Sequence, residues 1–332
     1  ELILISSTKN LIDSFISKNN ITNFQKLVID YPKINDIILI SKSDFFIFLN
    51  NFSKLQSDFI FNIVNKINQN STVADLYYFD EDFLDKHGKR INQFFKPDLN
   101  PYLLRSFNYI GNCFAIHKDL LIKLNNFLIS DKNFYYDLIL HCAENSNNFI
   151  HIPIPCFSTF KTQKIDQSNI LSNHIRRLGL DATIKYYDNL NSYRINYSLQ
   201  NEPKVTILIP SKNNKRLLKR CIDSLENNTN YKNFEIIIID NNSDDRETLE
   251  YYDSLDCEII LYPHPFNFSK MNNLGASKAQ GEFILCLNDD TKAIDPVWLT
   301  EMVSICQQND VGIVGAKLLH SNKTIQHAGA VF

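Results

Sequence analysis

Residues 285–294 read LCLNDDTKAI: an apolar run, Leu287-Asn288, then two adjacent carboxylates, Asp289 and Asp290. Paired carboxylates at the end of an apolar strand suit a hard divalent cation. Mg²⁺ or Mn²⁺ typically takes one or two protein carboxylates and completes its shell with substrate phosphate oxygens. A solvated Asn-Asp-Asp turn is the plain alternative, because these residues favour turns. Residues 47–56, IFLNNFSKLQ, repeat the apolar run and the Leu-Asn step, with Asn51 and Phe52 where the aspartates stand. Laying 44–60 over 282–299 matches Asp44-Phe45 with Glu282-Phe283 and Leu49-Asn50 with Leu287-Asn288, and a helical pattern follows each. That fits two copies of one α/β unit.

The acidic turn must be positioned by the elements around it, and their pattern is clear from residue 205 onward. VTILIP is a continuously apolar strand running into SKNN, and FEIIIID is a second, running into NNSDD. Between them, KRLLKRCIDSLENN places Leu217, Leu218, Cys221, Ile222 and Leu225 on one helical face. NNSDDRETLEYYDSL opens with capping residues and turns helical. EIILYP reads as a strand, SKMNNLGASKAQ as a helix, and GEFILCLND as the strand that delivers the turn. DPVWLTEMVSICQQN starts a helix with Asp295 as N-cap and Pro296 in the first turn, and VGIVGAKLL reads as a further strand.

Continuously apolar strands alternating with helices predict an α/β fold, a mostly parallel sheet with helices on both faces. Such sheets bind ligands beyond the carboxyl ends of their strands. Asp240 could accept from a base N–H or a ribose hydroxyl, or simply cap the following helix. The backbone around Pro210, Ser211 and Lys212 could wrap a nucleobase.

A polar stretch with Pro203 separates this region from the first 200 residues. There ELILIS, KLVID, DIILIS and DFFIFLNN read as strands and SDFIFNIVNKINQN as a helix. ADLYYFDED is a strand ending in Asp80-Glu81-Asp82, either a holder of acceptor or metal or a solvated acidic end. HKDLLIKLNNF and YYDLILHCAEN read as helices. The prolines of FIHIPIPCFSTF exclude a helix interior, so it is extended. SNHIRRLGLDATIKYY reads as a helix interrupted at Gly179.

The chain has 332 residues, enough for two domains. A net charge of −3 argues against a charge-driven nucleic-acid surface. Seven cysteines include no CxxC pair, and we read them as buried free thiols of a reducing compartment. No apolar run approaches the ~20 residues that span a bilayer, and ELILISSTKN does not read as a signal peptide. A chain that starts at Glu1 and stops on the apolar run before Phe332 is expected to belong to something longer. The glycine-free turn PSKNNKRLL excludes the dinucleotide fingerprint of a dehydrogenase.

Taken in order, VTILIPSKNN, FEIIIIDNNSDD, NNLGASKAQ and GEFILCLNDD resemble the nucleotide-sugar half of family 2 glycosyltransferases, which have the GT-A fold. Pro210 ends the first strand and Asp240 follows the second. Asn273 and Gly275 match the family's Arg-Asn-x-Gly segment, with Asn272 in place of Arg. Asn288-Asp289-Asp290 fills its Asp-x-Asp position, with Asn at the first place. The resemblance implies Pro210, Ser211, Lys212, Asp240, Asn242, Asn273 and Asp289 at the donor. It implies Asp290, with Asn288 as a further candidate, on Mg²⁺ or Mn²⁺. VGIVGAKLLHSNKTIQHAGAVF is similar to a subset acting on bacterial surface polysaccharides, often with two domains in tandem.

The implied reaction moves a sugar, hexosyl by type, from a UDP- or dTDP-sugar to a glycan or lipid-linked glycan acceptor. It is expected in the cytoplasm, at the inner membrane face through partners, with no nucleic acid involved. The family's base follows the acidic turn, in an acceptor half that residues 201–332 do not reach; His327 is the nearest titratable group, read as structural or acceptor-side. Residues 72–200 resemble that acceptor half. Residues 1–200 thus read as a degenerate copy: a shortened donor half 1–70, an acceptor-type half 71–170 and a linker helix 171–200. Asn50-Asn51-Phe52 replaces its metal turn, Tyr135 stands where the base is expected, and Asp137 is the remaining candidate. A non-catalytic binding or scaffolding module is the alternative for the whole chain.

Overall fold

The computed structural model describes residues 3–6, 25–28, 34–49, 54–124, 134–160 and 165–329. It divides into two compact units, Glu1–Asn196 and Tyr197–Gly329.

In the first unit, β1 (Ile3–Ser6) and β2 (Gln25–Val28) pair in parallel. The helix α1 (Ile34–Ile40) follows. DIILIS was expected as a strand; it lies mostly within this helix, which buries Ile38 and exposes Leu39 and Ile40. A six-stranded mixed sheet comes next. It is formed by β3 (Phe45–Leu49), β4 (Lys54–Leu55), β5 (Leu76–Leu84), β6 (Arg90–Phe94), β7 (Cys113–His117) and β8 (Phe149–Phe160). The order is β3-β7-β5-β8-β4, with β6 on β5, and only β5 and β8 run parallel.

Strand alternation splits the core of this unit in two. Tyr77 and Phe79 face α2 (Phe59–Gln69) through Phe59 and Ile63. Leu76 and Tyr78 face the other way. There they meet α3 (Pro101–Ser106), α4 (Lys118–Lys123), α5 (Phe134–Asn145) and α6 (Ser168–Arg177).

The expected linker helix ends early. Gly179 sits at φ 68°, its N–H reaches the Arg176 carbonyl, and the N–H of Leu180 reaches back to the Ile175 carbonyl, closing the helix. ATIKYY is therefore strand β9 (Ala182–Tyr187), paired with β10 (Ser192–Tyr197).

The second unit carries the parallel sheet. Its strands are β11 (Val205–Ser211), β12 (Phe234–Asp240), β13 (Glu258–Leu261) and β14 (Phe283–Cys286), in the order β13-β12-β11-β14. All neighbours are parallel. The helices between them are α7 (Lys215–Asn227), α8 (Arg246–Tyr252) and α9 (Phe268–Ala276), and α10 (Trp298–Cys306) follows β14. Val205, Ile207 and Ile209 pack with Leu218, Cys221, Ile222, Leu225, Leu299 and Val303 on one face. Leu208, Ile237 and Ile239 pack with Met271 on the other. The indole N–H of Trp298, the only tryptophan of the chain, donates to Thr229 Oγ1 at 3.0 Å.

Two expectations about the end of this unit are corrected. The α10 helix begins at Trp298, two residues after Pro296. Asp295 acts one step earlier, its carboxylate accepting from the N–H of Val297 at 3.2 Å. VGIVGAKLL is not one strand: only β15 (Leu318–Leu319) forms, antiparallel to β16 (Ile325–His327), and Ile313 is 92% exposed.

All seven cysteines are free, but the expectation that they are buried holds only for Cys113, Cys142, Cys156 and Cys221; Cys257 and Cys306 are half-buried and Cys286 is exposed. Among the described residues, no helix is long and apolar enough to cross a membrane.

Candidate functional site

The register of the parallel sheet sets Ser211 beside Asp240, so the first two strand ends open at the same level. Both loops then turn through left-handed asparagines, Asn213 at φ 48° and Asn242 at φ 57°, a conformation asparagine tolerates better than most residues. Asn213 stitches the loops together. Its N–H donates to Ser243 Oγ at 3.0 Å, and its side-chain oxygen accepts from the N–H groups of Asp244 and Asp245 at 2.9 and 3.1 Å. Asn241 ties the second loop to the third strand end, its amide donating to the carbonyls of Tyr262 and His264 at 3.2 and 2.8 Å.

Asp240 is buried and partnered. It accepts from Ser243 through both N–H and hydroxyl, and the Tyr252 hydroxyl lies 3.2 Å away. Burial, reinforced by the Asp240 charge, pushes the Tyr252 phenol up to about 12. The N-cap of α8 is Asp245, whose carboxylate accepts from Thr248 N–H at 2.9 Å; Asp240 is not the cap.

The acidic turn folds over the first loop. Asp289 Oδ2 accepts from Ser211 Oγ at 2.7 Å and from Asn214 Nδ2 at 3.0 Å. Arg220 donates Nη2 to the backbone carbonyl of Asp290 at 2.9 Å. The Asp290 carboxylate is exposed and makes no hydrogen bond or ion pair among the described residues. Asn288 and Lys212 are also exposed, and Pro210 is half-buried.

The structure thus brings Ser211, Asp240, Asp289 and Asp290 to one edge of the sheet. Asn273 is exposed on α9, and no described contact joins it to the turn. Its neighbour Asn272 is buried, donating to the Phe268 carbonyl at 2.8 Å and leaving Oδ1 without a partner. Gly275 explains how that helix sits so close. A Cβ there would lie 2.9 Å from Leu208 Cδ2 and 3.0 Å from Ile239 Cδ1. Sequence reasoning passed over Asn213, Asn214, Arg220 and Asn241, although Asn213, Asn214 and Asn241 lie in the strand-end segments SKNN and NNSDD.

No group of three or more His, Cys, Asp or Glu side chains able to hold a metal occurs among the described residues. A site built from one free carboxylate and substrate oxygens needs no such group and fits Mg²⁺ or Mn²⁺. Asp290 would hold the cation, beside the anchored Asp289.

The first unit is built differently. Asn50-Asn51-Phe52 lies outside the described residues. Pro153 and Pro155 fall in β8 where its register against β5 shifts, between Phe79 and Glu81, since proline supplies no N–H to the ladder. Asp80, Glu81 and Asp82 stand at this irregularity, and all three are buried. They are not a solvated acidic end. Asp80 accepts from Lys96 N–H at 2.8 Å and lies 2.7 Å from His151 Nε2. Glu81 pairs with Lys96 Nζ at 3.1 Å, and Asp82 pairs with Arg90.

Tyr135 donates its hydroxyl to the carbonyl of Leu49 at 2.8 Å, at the end of β3. Its ring stacks on Phe134, with centroids 4.4 Å apart, and meets Phe114 edge-on. Phe48 stacks on Phe114 at 5.4 Å and completes an aromatic cluster at that strand end. Asp137 is held by Arg177 at 3.3 Å and by His141 at 3.2 Å.

Residues 206–329 match the sequence profile described as glycosyl transferase family 2. The chain is 36% identical over 273 residues to the O-antigen biosynthesis protein RfbC of Myxococcus xanthus, covering 77% of this chain and 21% of that protein. It is 29% identical over 319 residues to an uncharacterized protein, y4gI, of Sinorhizobium fredii, covering 90% of this chain and 35% of that protein. The chain therefore spans about a fifth to a third of the length of these curated relatives. A solved mannosyltransferase from Pyrobaculum calidifontis, in complex with GDP-Man and Mn²⁺, is 20% identical, with coverage of 34% and 35% and a TM-score of 0.31.

With the parallel sheet and its ordered strand ends, the profile match defines a family 2 glycosyltransferase domain of Rossmann-like α/β fold. The chain carries that domain in its second unit, over residues 206–329.

Proposed function

We propose that residues 204–332 bind a nucleotide-sugar, a UDP- or dTDP-sugar, together with Mg²⁺ or Mn²⁺. The sugar, hexosyl by type, passes to a glycan or lipid-linked glycan acceptor in cell-surface polysaccharide synthesis, in the cytoplasm at the inner face of the membrane. One observation carries the reading. A free, exposed Asp290 follows an Asp289 anchored to Ser211 and Asn214, at the carboxyl edge of a parallel sheet. The name of the Myxococcus relative, an O-antigen biosynthesis protein, supports the polymer class.

A cation here would neutralise charge developing on the diphosphate leaving group. This chain's residues would do the holding. The loop Pro210–Lys212 would lie along the base, Asp240 and Asn242 at the second strand end would supply ribose or base hydrogen bonds, and Asn273 would contribute from α9. None of the described residues of the second unit is offered as the base that deprotonates the acceptor. His327 is exposed in β16.

The first unit reads as a non-catalytic, glycosyltransferase-like module. Tyr135, where the base is expected, is tied to Leu49 and stacked among Phe134, Phe114 and Phe48. Asp137 is committed to Arg177 and His141. A scaffold with no donor site in either unit is the competing reading. Calorimetry with UDP- and dTDP-sugars, with and without Mn²⁺, separates the two. Metal-dependent binding that disappears in Asp290→Ala and survives in Asp137→Ala is expected. Absence of any nucleotide binding would favour the scaffold.

A further inference from the structure

Helix α7 departs from the usual helix rules at its first residue. Asn214 occupies the N-cap position, at φ −138° and ψ 45°, yet its side chain makes no capping hydrogen bond. An N-cap asparagine ordinarily accepts from a backbone N–H of the first turn, and replacing it by alanine destabilises the helix. Here the amide turns away from its own helix. Its Nδ2 donates to Asp289 Oδ2 at 3.0 Å, across 75 residues of sequence.

The rest of the turn is held from the same side. Ser211 Oγ shares the Asp289 oxygen at 2.7 Å. Arg220 holds the Asp290 carbonyl at 2.9 Å, and Cys221 Sγ lies 3.8 Å from the Asn288 carbonyl. Asp290 has no described partner for its carboxylate, so the direction of that carboxylate is set by the backbone beneath it. That backbone is set by Asn214, Ser211 and Arg220. A local rule broken without a local gain marks a site where something else is being served.

We propose that Asn214 is a positioning residue for the metal turn: it gives up the cap of α7 to fix Asp289, and so aims Asp290 at the cation. This rests on the reading of Asp290 as the metal ligand. Partners that orient metal ligands are typically worth 10–100-fold in metal affinity.

The test uses Asn214→Ser and Asn214→Ala in the full 332-residue chain. Serine caps a helix as well as asparagine does, but it is too short to reach Asp289. Mn²⁺ binding is followed by loss of the free-ion electron paramagnetic resonance signal beyond that caused by the same UDP, dTDP or GDP without protein, and the melting temperature is taken alongside. Asn214→Ser is expected to keep or raise the melting temperature while Mn²⁺ affinity falls about 10-fold. Asn214→Ala is expected to lose both. Wild-type affinity in Asn214→Ser, with binding abolished in Asp290→Ala, overturns the positioning role alone. So does a parallel fall of melting temperature and affinity in Asn214→Ser. If the wild type binds no Mn²⁺ with any nucleotide, or Asp290→Ala binds it normally, the metal reading fails and this inference with it.

Discussion

Lys96 carries its ammonium where no solvent reaches it, 3.1 Å from a nearly buried Glu81 and 2.8 Å from the carbonyl of Ile110. Gly111, at φ 81°, makes room for the pair: a Cβ there would stand 3.2 Å from Glu81 Oε1. Removing one partner of a buried ion pair leaves the other uncompensated, at about 3–5 kcal/mol. Lys96→Met is therefore expected to destabilise the first unit by about that much in urea denaturation followed by far-ultraviolet circular dichroism. Adding Glu81→Leu should recover a large part, because replacing both partners by apolar groups is often neutral. No recovery would mean that Glu81 has a role apart from Lys96. The contrast with the second unit lies in what the carboxylates face: Asp80, Glu81 and Asp82 are turned inward onto cations or histidine, whereas Asp290 is turned out.

Between residues and whole units, the junction of α5 and α6 is held by a chain of charges. Arg105 Nε donates to His174 Nε2 at 3.2 Å, so that nitrogen accepts and Nδ1–H donates to Glu144 at 2.6 Å. Burial, together with the charges of Arg105 and Arg177, outweighs Glu144 and holds the His174 imidazole below its ordinary range. A histidine with a depressed folded pKa gives stability that is present above about pH 6.5 and is lost as pH falls through the folded value. His141 has the opposite sign. Burial pulls it down, but the hydrogen bonds and charge of Asp137 outweigh burial and raise it, so its contribution is lost as pH rises through its folded value. His174→Gln should therefore reduce the loss of melting temperature between pH 7 and pH 5, while His141→Gln should steepen it. An unchanged slope in both variants would refute the assignment.

A second prediction at this scale concerns Gly281, which leads into β14. A Cβ there would lie 2.5 Å from the backbone nitrogen of Thr206 and 2.9 Å from the carbonyl of Lys204. Backbone cannot step aside as a side-chain end can. Gly281→Ala should cost about 1–3 kcal/mol by overpacking. Gly275→Ala presses on the ends of Leu208 and Ile239 and gains helix propensity, so thermal melts should show it as the milder change.

The elements of the second unit were legible because each strand is a continuous apolar run and each helix has a face, as with Leu218, Cys221, Ile222 and Leu225. The misreadings share a cause. A short apolar run does not declare its period: DIILIS is mostly helix, and VGIVGAKLL has no partner strand over most of its length. The acidic turn was legible from composition. What holds it was not, since Asn214 and Arg220 meet residues 288–290 only through a parallel pairing that no local pattern encodes.

For the whole molecule, the two units predict an asymmetric response to ligand. Binding of a nucleotide with Mn²⁺ should slow amide exchange in segments 205–215, 239–245 and 286–292 and leave 76–84 and 113–117 unchanged. Equal protection in both units would contradict a donor site confined to the second. The relatives extend well beyond the length of this chain.

Trp298 offers a further consequence. It is the sole tryptophan of the chain and sits in the second unit, partly buried against that unit's core with its indole N–H on Thr229. The first unit is rich in tyrosine but has no indole fluorophore. Emission excited at the red edge, where tyrosine hardly absorbs, therefore reports one unit in the presence of the other. The chain carries a built-in optical label for its glycosyltransferase domain, and loss of that label's environment during unfolding can be timed separately from the collapse of ellipticity that both units share.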